Sequence, residues 1–350
     1  FRIFFLKQNR FNLFLLLLVF LLPIAFSYYL YKYHHIIYDK KVNVVVVQPN
    51  VDPYHVKFNL GFEEQLDQFI SLAKTKITKE TDILLGPETA LVEGVWEESN
   101  NKYENTYSII ALRNLQAEYP NLNILVGATT YKLFSDTDKL SSTARQIKNE
   151  NIFYDAYNSA IFIAENGSIQ IYHKTKLVPG AEKIPFPIIF NNISALSVDL
   201  GGVSGSLGSD NQISLFKLSE LNILPLICYE SVYGDLIQNQ FFDFICILTN
   251  DGWWKNTDGY KQHFKYAKLR AIEQRKFVVR SANTGISTVI SPKGKVLAKT
   301  NWDEQKCFDY SIHSNQVQTF YNQFGDFIGR ISVFIMFLLV LITFVKKQIN

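Results

Sequence analysis

The stretch PLICYESVYGD, residues 225–235, sets a cysteine directly after an apolar run and two positions before a carboxylate. Leu224 to Ile227 read as the end of a buried strand, so Cys228 stands at its tip, followed by Tyr229 and Glu230. Two readings of Cys228 stay open: core filler, or a nucleophile. A thiol with a free pKa near ~8.5 is a weak nucleophile at neutral pH unless a base or a cation assists it. The six histidines, His34, His35, His55, His173, His263 and His313, show no spacing that suggests a cysteine–histidine dyad or a metal site, and each reads as a surface or packing residue.

Charged residues at other strand ends stand out instead. DILLGPETALVEG places Glu88 after a buried run and behind Pro87, whose ring fixes the local backbone. An exposed turn glutamate is the competing reading. In IYHKTKLVPGAEKIPF a strand ends in Lys174 and Lys176, with Glu182 in the loop beyond. Strand periodicity puts Tyr172, Lys174 and Lys176 on one face, so the pattern does not choose between the lysines, and solvated edge lysines would look the same.

These residues need elements to carry them. VNVVVVQ (42–48) reads as a buried strand, and the stretch from Gly61 to Ile77 as a helix with Phe62, Leu66, Phe69, Ile70, Ala73 and Ile77 on one face. DILLG (82–86) and NILVGATTY (123–131) read as strands around a helix from Tyr107 to Glu118. Residues 157–174 form a hairpin turning at Asn166-Gly167. Strands at 223–228 and 242–250 lead to a helix from about Tyr260 to Gln274, and strands in FVVRSAN, GISTVI and PKGKVLAK close the domain. Strands alternate with helices and hairpins, so the class is α/β with mixed sheets. Residues 134–155 read as a polar surface insertion. GGVSGSLGSD (201–210) lacks the Lys-Ser/Thr and the helix of a phosphate loop and reads as a turn.

The chain of 350 residues is 47% hydrophobic, 19% charged and carries a net charge of +3, which argues against a nucleic-acid partner. The apolar excess gathers at the two ends. Phe11 to Tyr31 has no charged residue and is long enough to cross a bilayer, with Pro23 tolerable inside and Tyr28, Tyr29 and Tyr31 as an interfacial belt. Phe327 to Lys347 is a second span if Arg330 snorkels. A cleaved signal peptide is the competing reading of the first, whose apolar run exceeds the usual ~7–15 residues. Arg2, Lys7 and Arg10 before the first span and Lys346 and Lys347 after the second favour an outward-facing domain between them, although Lys32, Lys40 and Lys41 blunt that bias. The chain starts at Phe1, which reads as the tail of a longer protein with more membrane helices upstream. Three cysteines, Cys228, Cys246 and Cys307, show no paired spacing, so neither zinc nor a disulfide framework is expected; Cys246 reads as core.

Taken together, GPETA, YHKTKLVPGAE, CYESVYGD, LTNDGWW and RSANTGIS stand in the order and rough spacing of the nitrilase, or carbon–nitrogen hydrolase, superfamily, and the chain resembles it over roughly residues 42–315. The resemblance implies an α/β nitrilase-like four-layer α-β-β-α sandwich, here residues 41–322, with a transmembrane helix in 1–40 and another in 323–350. It implies a triad of Glu88 as general base, Lys174 as the catalytic lysine and Cys228 as nucleophile. Glu182 matches an additional active-site glutamate, in LVPGAE where the family more often reads LVPFGE. Tyr229 and Glu230 match the pair after the nucleophile, with Glu230 expected to be structural. Trp253 and Trp254 match an aromatic border of the substrate site, and Asn158 is a further candidate at the triad or the substrate.

LVPGAE, CYE and the flanking apolar segments resemble the lipoprotein N-acyltransferase branch. That implies a phospholipid acyl donor, a diacylglyceryl lipoprotein acceptor, no cofactor and no metal, in a monomer embedded in a bacterial inner membrane as a multi-pass protein with its catalytic domain on the periplasmic side. Aromatics at Phe186, Phe190, Trp253, Trp254 and Tyr260 would cover acyl chains. A membrane-tethered amidase sharing the same triad is the alternative, and a degenerate, non-enzymatic scaffold would have lost at least one of the three residues.

Overall fold

The computed structural model describes residues 10–52, 61–97, 105–135, 137–183 and 206–349. The chain divides into two units, one ending at Ile37 and the other beginning at Tyr38. The first holds helix α1 (Arg10–Tyr33), which continues through Pro23. Its side chains from Leu13 to Tyr33 are almost all exposed, the reverse of a core helix.

The second unit opens with β1 (Lys41–Gln48), α2 (Phe62–Lys74), β2 (Ile83–Leu85), β3 (Leu91–Trp96), α3 (Tyr107–Glu118) and β4 (Asn123–Leu133). It continues with β5 (Arg145–Gln146), β6 (Phe153–Ile163), β7 (Ile169–His173), β8 (Phe216–Leu218), β9 (Leu221–Ile227) and β10 (Phe244–Thr249). Last come α4 (Asp258–Gln274), β11 (Val278–Ala282), β12 (Thr288–Ile290), β13 (Val296–Lys299), β14 (Lys306–His313), α5 (Phe320–Phe324) and α6 (Phe327–Ile349). β3, β5, β8 and β14 are additions to the sequence reading. They are short or carry mixed polarity, which blurs the strand signal.

An eight-stranded sheet runs β14-β1-β2-β4-β6-β5, with β3 on β4 and β7 on β6. A six-stranded sheet runs β13-β12-β11-β10-β9-β8. In the first, β1, β2 and β4 are parallel neighbours, and in the second β9, β10 and β11 are. Strands of that kind are buried on both faces and read as continuous apolar runs. VNVVVVQ shows the consequence: Val42, Val44 and Val46 join one core, while Val45 and Val47 join the other.

The first core includes the space between the sheets, where Ile83, Leu85, Leu125 and Phe162 lie across from Phe216, Ile223 and Phe244. It extends to the other face of the second sheet, where Leu224, Ile245 and Val278 share a face and Ala267 and Ala271 of α4 join the same cluster. The second holds Leu84, Ile124, Val126 and Ile161 against Leu66, Phe69 and Ala73 of α2 and Ile109, Leu112 and Leu115 of α3. The expected apolar face of α2 is thus borne out at Leu66, Phe69 and Ala73, with Phe62 and Ile70 half-buried; the helix ends at Lys74, so Ile77, though buried, lies beyond it. Each such aliphatic side chain contributes about 1.5–3 kcal/mol.

The hairpin turns where expected, with Gly167 at φ +82°. Most of residues 137–152 is exposed, but Asp155, the last residue of the expected insertion, lies in β6, is buried and accepts hydrogen bonds from Ser141 and Thr143. The Gly-rich stretch is described only from 206 onward, where Gly208 donates to the Ala156 carbonyl.

Helix α6, like α1, exposes its apolar side chains. Leu13–Tyr33 and Phe327–Val345 are the two helical stretches long and apolar enough to cross a membrane among the described residues. Arg330 sits in the first turn of α6, and its guanidinium reaches back to the Phe324 carbonyl, away from the apolar run.

Candidate active site

The three candidate side chains leave three different strands. Glu88 follows β2, Lys174 follows β7 and Cys228 follows β9. The first two strands belong to one sheet and the third to the other, so the site lies where the sheets meet at strand ends.

Glu88 is buried, not an exposed turn residue. Its Oε1 accepts from Asn158 Nδ2 at 2.8 Å and from Lys174 Nζ at 3.2 Å, and its Oε2 accepts the Asn250 backbone N–H at 3.0 Å. The turn that carries it lies directly on β4. A Cβ on Gly127 would come within 2.6 Å of Thr89 N and 2.7 Å of Glu88 Cα, so only glycine allows this approach.

The structure decides between the lysines. Lys174 is fully buried, whereas Lys176 is half-buried with its ammonium 5.6 Å from the Tyr233 ring centre. Lys174 Nζ donates to Glu182 Oε1 at 2.9 Å as well as to Glu88. Burial works against the ammonium charge, but the carboxylates of Glu182 and Glu88 outweigh it and push the lysine well above its usual range. Glu182 is anchored by the Val178 N–H on Oε2 at 2.8 Å, and Asn158 Nδ2 donates to its Oε1 at 2.7 Å. The Asn158 amide therefore bridges Glu88 and Glu182, and the altered LVPGAE loop still delivers its glutamate to the lysine.

Cys228 is the first residue of a short 3-10 turn, Cys228–Val232, and has φ +50°. A non-glycine residue is strained there, and such strain persists only where the surroundings hold it. Three groups do so. Glu230 Oε2 accepts the Ile227 N–H at 2.7 Å, while Ser231 Oγ at 2.8 Å and His263 Nε2 at 3.0 Å both reach the Cys228 carbonyl. The thiol is buried; burial and the charge of Glu88 push its pKa up, and Lys174 and a hydrogen bond with Thr249 pull it back. Its resting form is the thiol, so a nucleophilic role requires a base.

Glu230 is fully buried, in keeping with the structural role expected for it. Its Oε1 accepts from the Tyr172 hydroxyl at 2.6 Å, the Thr175 N–H at 2.6 Å, the Thr175 hydroxyl at 2.8 Å and the Lys176 N–H at 3.3 Å. Tyr229 packs edge-on against Tyr233, with ring centres 5.2 Å apart. Trp253 and Trp254 both lie on the 3-10 turn Asp251–Trp254, where Trp253 is half-buried and Trp254 is exposed with its ring against His263. Tyr260 is buried against Trp302. Phe186 and Phe190 lie outside the described residues.

Two histidines correct the sequence reading. His263 is buried behind Cys228, with Nδ1 2.8 Å from Asp251 Oδ1. Asp251 is in turn held by Arg280, whose Nη2 donates to both carboxylate oxygens at 2.9 and 2.8 Å. Burial alone would raise the Asp251 pKa, but Arg280 and His263 lower it. His173 stacks on Tyr157 and lies 2.7 Å from Glu97 Oε1 and 3.3 Å from Asp210 Oδ1. The partners are distant in sequence, and only the NDGWW stretch gave a signal that Asp251 belongs to the site. His55 lies outside the described residues, and among those described no group of His, Cys, Asp and Glu could hold a metal ion.

Residues 43–322 match the carbon-nitrogen hydrolase family model. The chain belongs to the carbon–nitrogen hydrolase family. Among curated relatives it is 28% identical over 320 residues to the apolipoprotein N-acyltransferase of Chlorobaculum tepidum, covering 88% of this chain and 58% of that one. It is also 28% identical over 274 residues to the apolipoprotein N-acyltransferase of Aquifex aeolicus, covering 77% and 54%. The chain thus spans little more than half the length of these relatives. Of solved structures, Nit3 of Saccharomyces cerevisiae, a nitrilase-superfamily member, aligns with a TM-score of 0.54 at 14% identity over 79% of this chain and 91% of that one, a likeness of fold.

Proposed function

We propose that this chain carries the catalytic part of an N-acyltransferase that moves an acyl chain from a phospholipid to the terminal diacylglyceryl-cysteine of bacterial lipoproteins. The observation that carries the proposal is the convergence of buried Lys174, held between Glu88 and Glu182, with Cys228 on a strained turn at the meeting of two sheets. The names of the curated relatives and the two exposed apolar helices support the lipid substrates.

In this mechanism Glu88 takes the Cys228 proton as the sulfur attacks the ester carbonyl of the donor. The oxyanion is stabilised by the Lys174 ammonium and the Tyr229 N–H. Its collapse breaks the carbon–oxygen bond, and the lysophospholipid leaves with the proton that Glu88 returns. The acceptor's α-amino group then attacks the thioester and loses a proton to Glu88. Collapse expels the Cys228 thiolate, which Glu88 re-protonates, and leaves an amide. Glu182 and Asn158 hold Lys174 and Glu88 in register throughout.

The succession of helices, sheet, sheet and helix supports reading 41–322 as a four-layer α-β-β-α domain, with membrane helices in 1–40 and 323–350. The assigned setting is a bacterial inner membrane, multi-pass, with the domain on the periplasmic side and the protein acting as a monomer. Trp253 and Trp254 border the proposed lipid site. Intact-mass analysis of the purified protein after incubation with phospholipid tests this reading. A hydroxylamine-labile acyl adduct is expected on the parent and none on Cys228→Ala. Absence of the adduct, with turnover of a soluble amide instead, would replace the transferase by an amidase.

A further inference from the structure

We propose that His263, backed by Asp251 and Arg280, is a positioning residue that sets the Cys228–Tyr229 peptide and so sharpens the Tyr229 N–H as the oxyanion donor. The proposal deepens the acyl-transfer reading and rests on it. The peptide in question joins a residue at φ +50° to the proposed donor. Its carbonyl accepts the Ser231 hydroxyl at 2.8 Å and lies 3.0 Å from His263 Nε2; in the proposed tautomer Nε2 carries a proton shared between this carbonyl and Ser231 Oγ, 2.9 Å away, and both side chains are buried. A carbonyl that accepts two hydrogen bonds polarises its own amide, and the N–H on the same peptide becomes a stronger donor. The same two bonds fix the peptide plane, hence the direction of that N–H.

The support behind the imidazole is rigid. Asp251 Oδ1 lies 2.8 Å from His263 Nδ1, Arg280 grips both Asp251 oxygens, and Arg280 Nη1 donates to the Ile286 carbonyl at 2.5 Å. Gly285, at φ +141°, closes the other side; a Cβ there would lie 2.5 Å from Asp251 Oδ2. His263 also meets the ring of Trp254 edge-on, with centres 4.9 Å apart, while its Nε2 faces the carbonyl side of the Cys228 turn. Burying such a cluster is costly, and the backbone group it meets at the proposed nucleophile is the Cys228 carbonyl.

The test compares two reactions of the same sulfur in the full chain. Acylation of Cys228 by a p-nitrophenyl ester or by phospholipid passes through an oxyanion, whereas alkylation by iodoacetamide does not. In His263→Asn, whose amide is too short to reach the carbonyl, acylation is expected to fall about 10–50-fold with alkylation within about threefold of the parent. His263→Gln, whose amide nitrogen overlays Nε2, is expected to recover acylation to within about fivefold. Equal loss in both reactions, or no loss of acylation, overturns the proposal. Should His263→Asn fail to fold, Ser231→Ala removes the other donor on the same carbonyl and is expected to give the same split at about threefold to tenfold; no split there overturns it as well. A parent acylated at Cys228 by the activated ester but not by phospholipid would refute the lipid donor while leaving this test intact, and a parent acylated by neither would refute the nucleophile.

Discussion

The carboxylate of Glu230, two residues beyond the cysteine, accepts the backbone N–H of Thr175, one residue beyond the buried lysine, at 2.6 Å. The same carboxylate takes the Ile227 N–H at 2.7 Å. One side chain thus ties the turn that presents Cys228 to the segment that presents Lys174, across two sheets. Burial raises its pKa despite the donors around it, which makes an intact set of donors necessary. Glu230→Gln substitutes an NH2 for one accepting oxygen in a fully buried site, so at least one donor, the Ile227 N–H, would face a donor. A loss of about 2–4 kcal/mol is expected, read as a lower denaturation midpoint, with Cys228 acylation falling in parallel. A variant of parental stability would show that the tie is dispensable.

Lys174 and Lys176 are separated by a single residue but differ in burial. Lys174→Met leaves Glu88 and Glu182 buried without their shared cation and removes the proposed oxyanion stabiliser, and acyl-adduct formation is expected to drop at least about 10³-fold. Lys176→Met, at a half-exposed position over Tyr233, is expected to stay within about fivefold. Comparable losses in the two variants would contradict the assignment. Rates of adduct formation by mass spectrometry decide.

The thiol of Cys228 is pushed up first by burial and then by the charge of Glu88, while Lys174 opposes both. Replacing Glu88 by Gln removes a negative charge beside the sulfur, so the thiolate becomes easier to form. Iodoacetamide is therefore expected to modify Cys228 faster in Glu88→Gln than in the parent at pH 8, even as acylation by ester is lost with the base. Replacing Lys174 by Met moves the thiol the other way and slows alkylation. Slower alkylation in Glu88→Gln would place Glu88 out of reach of the sulfur.

His173 is pushed up to about 9: burial pulls it down, but the hydrogen bonds and charges of Asp210 and Glu97 prevail. A folded pKa above the unfolded value near ~6.5 stabilises the fold in full below that value. The contribution is lost as pH rises through about 9. Between pH 6.5 and 9 the parent is expected to lose about 1–3 kcal/mol on this account, and His173→Gln to lose none of it. Thermal melts across that range, in one detergent and one ionic strength, compare the slopes. Identical slopes would show that His173 does not carry the ion pairs.

What the amino-acid order determined alone is what depends on near neighbours. The apolar runs at the two ends, the valines of VNVVVVQ, the turn at Asn166-Gly167 and the helical face of Leu66, Phe69 and Ala73 follow from local periodicity and turn chemistry, and the structure shows them as elements. Glu88, Lys174 and Cys228 were visible as odd residues at strand tips, and their grouping came from the resemblance of whole motifs. Periodicity placed Lys174 and Lys176 on one face; only the packing of the second sheet and the loop of Glu182 buries one and leaves the other part-exposed. The tertiary structure also decided the roles of His263 and His173. Their partners Asp251, Ser231, Glu97 and Asp210 lie 12, 32, 76 and 37 positions away, and no spacing rule connects them. The physical reason is common to all: burial and hydrogen-bond partnership are properties of where strand ends meet, and strand ends meet through long-range sheet pairing that a local pattern does not encode.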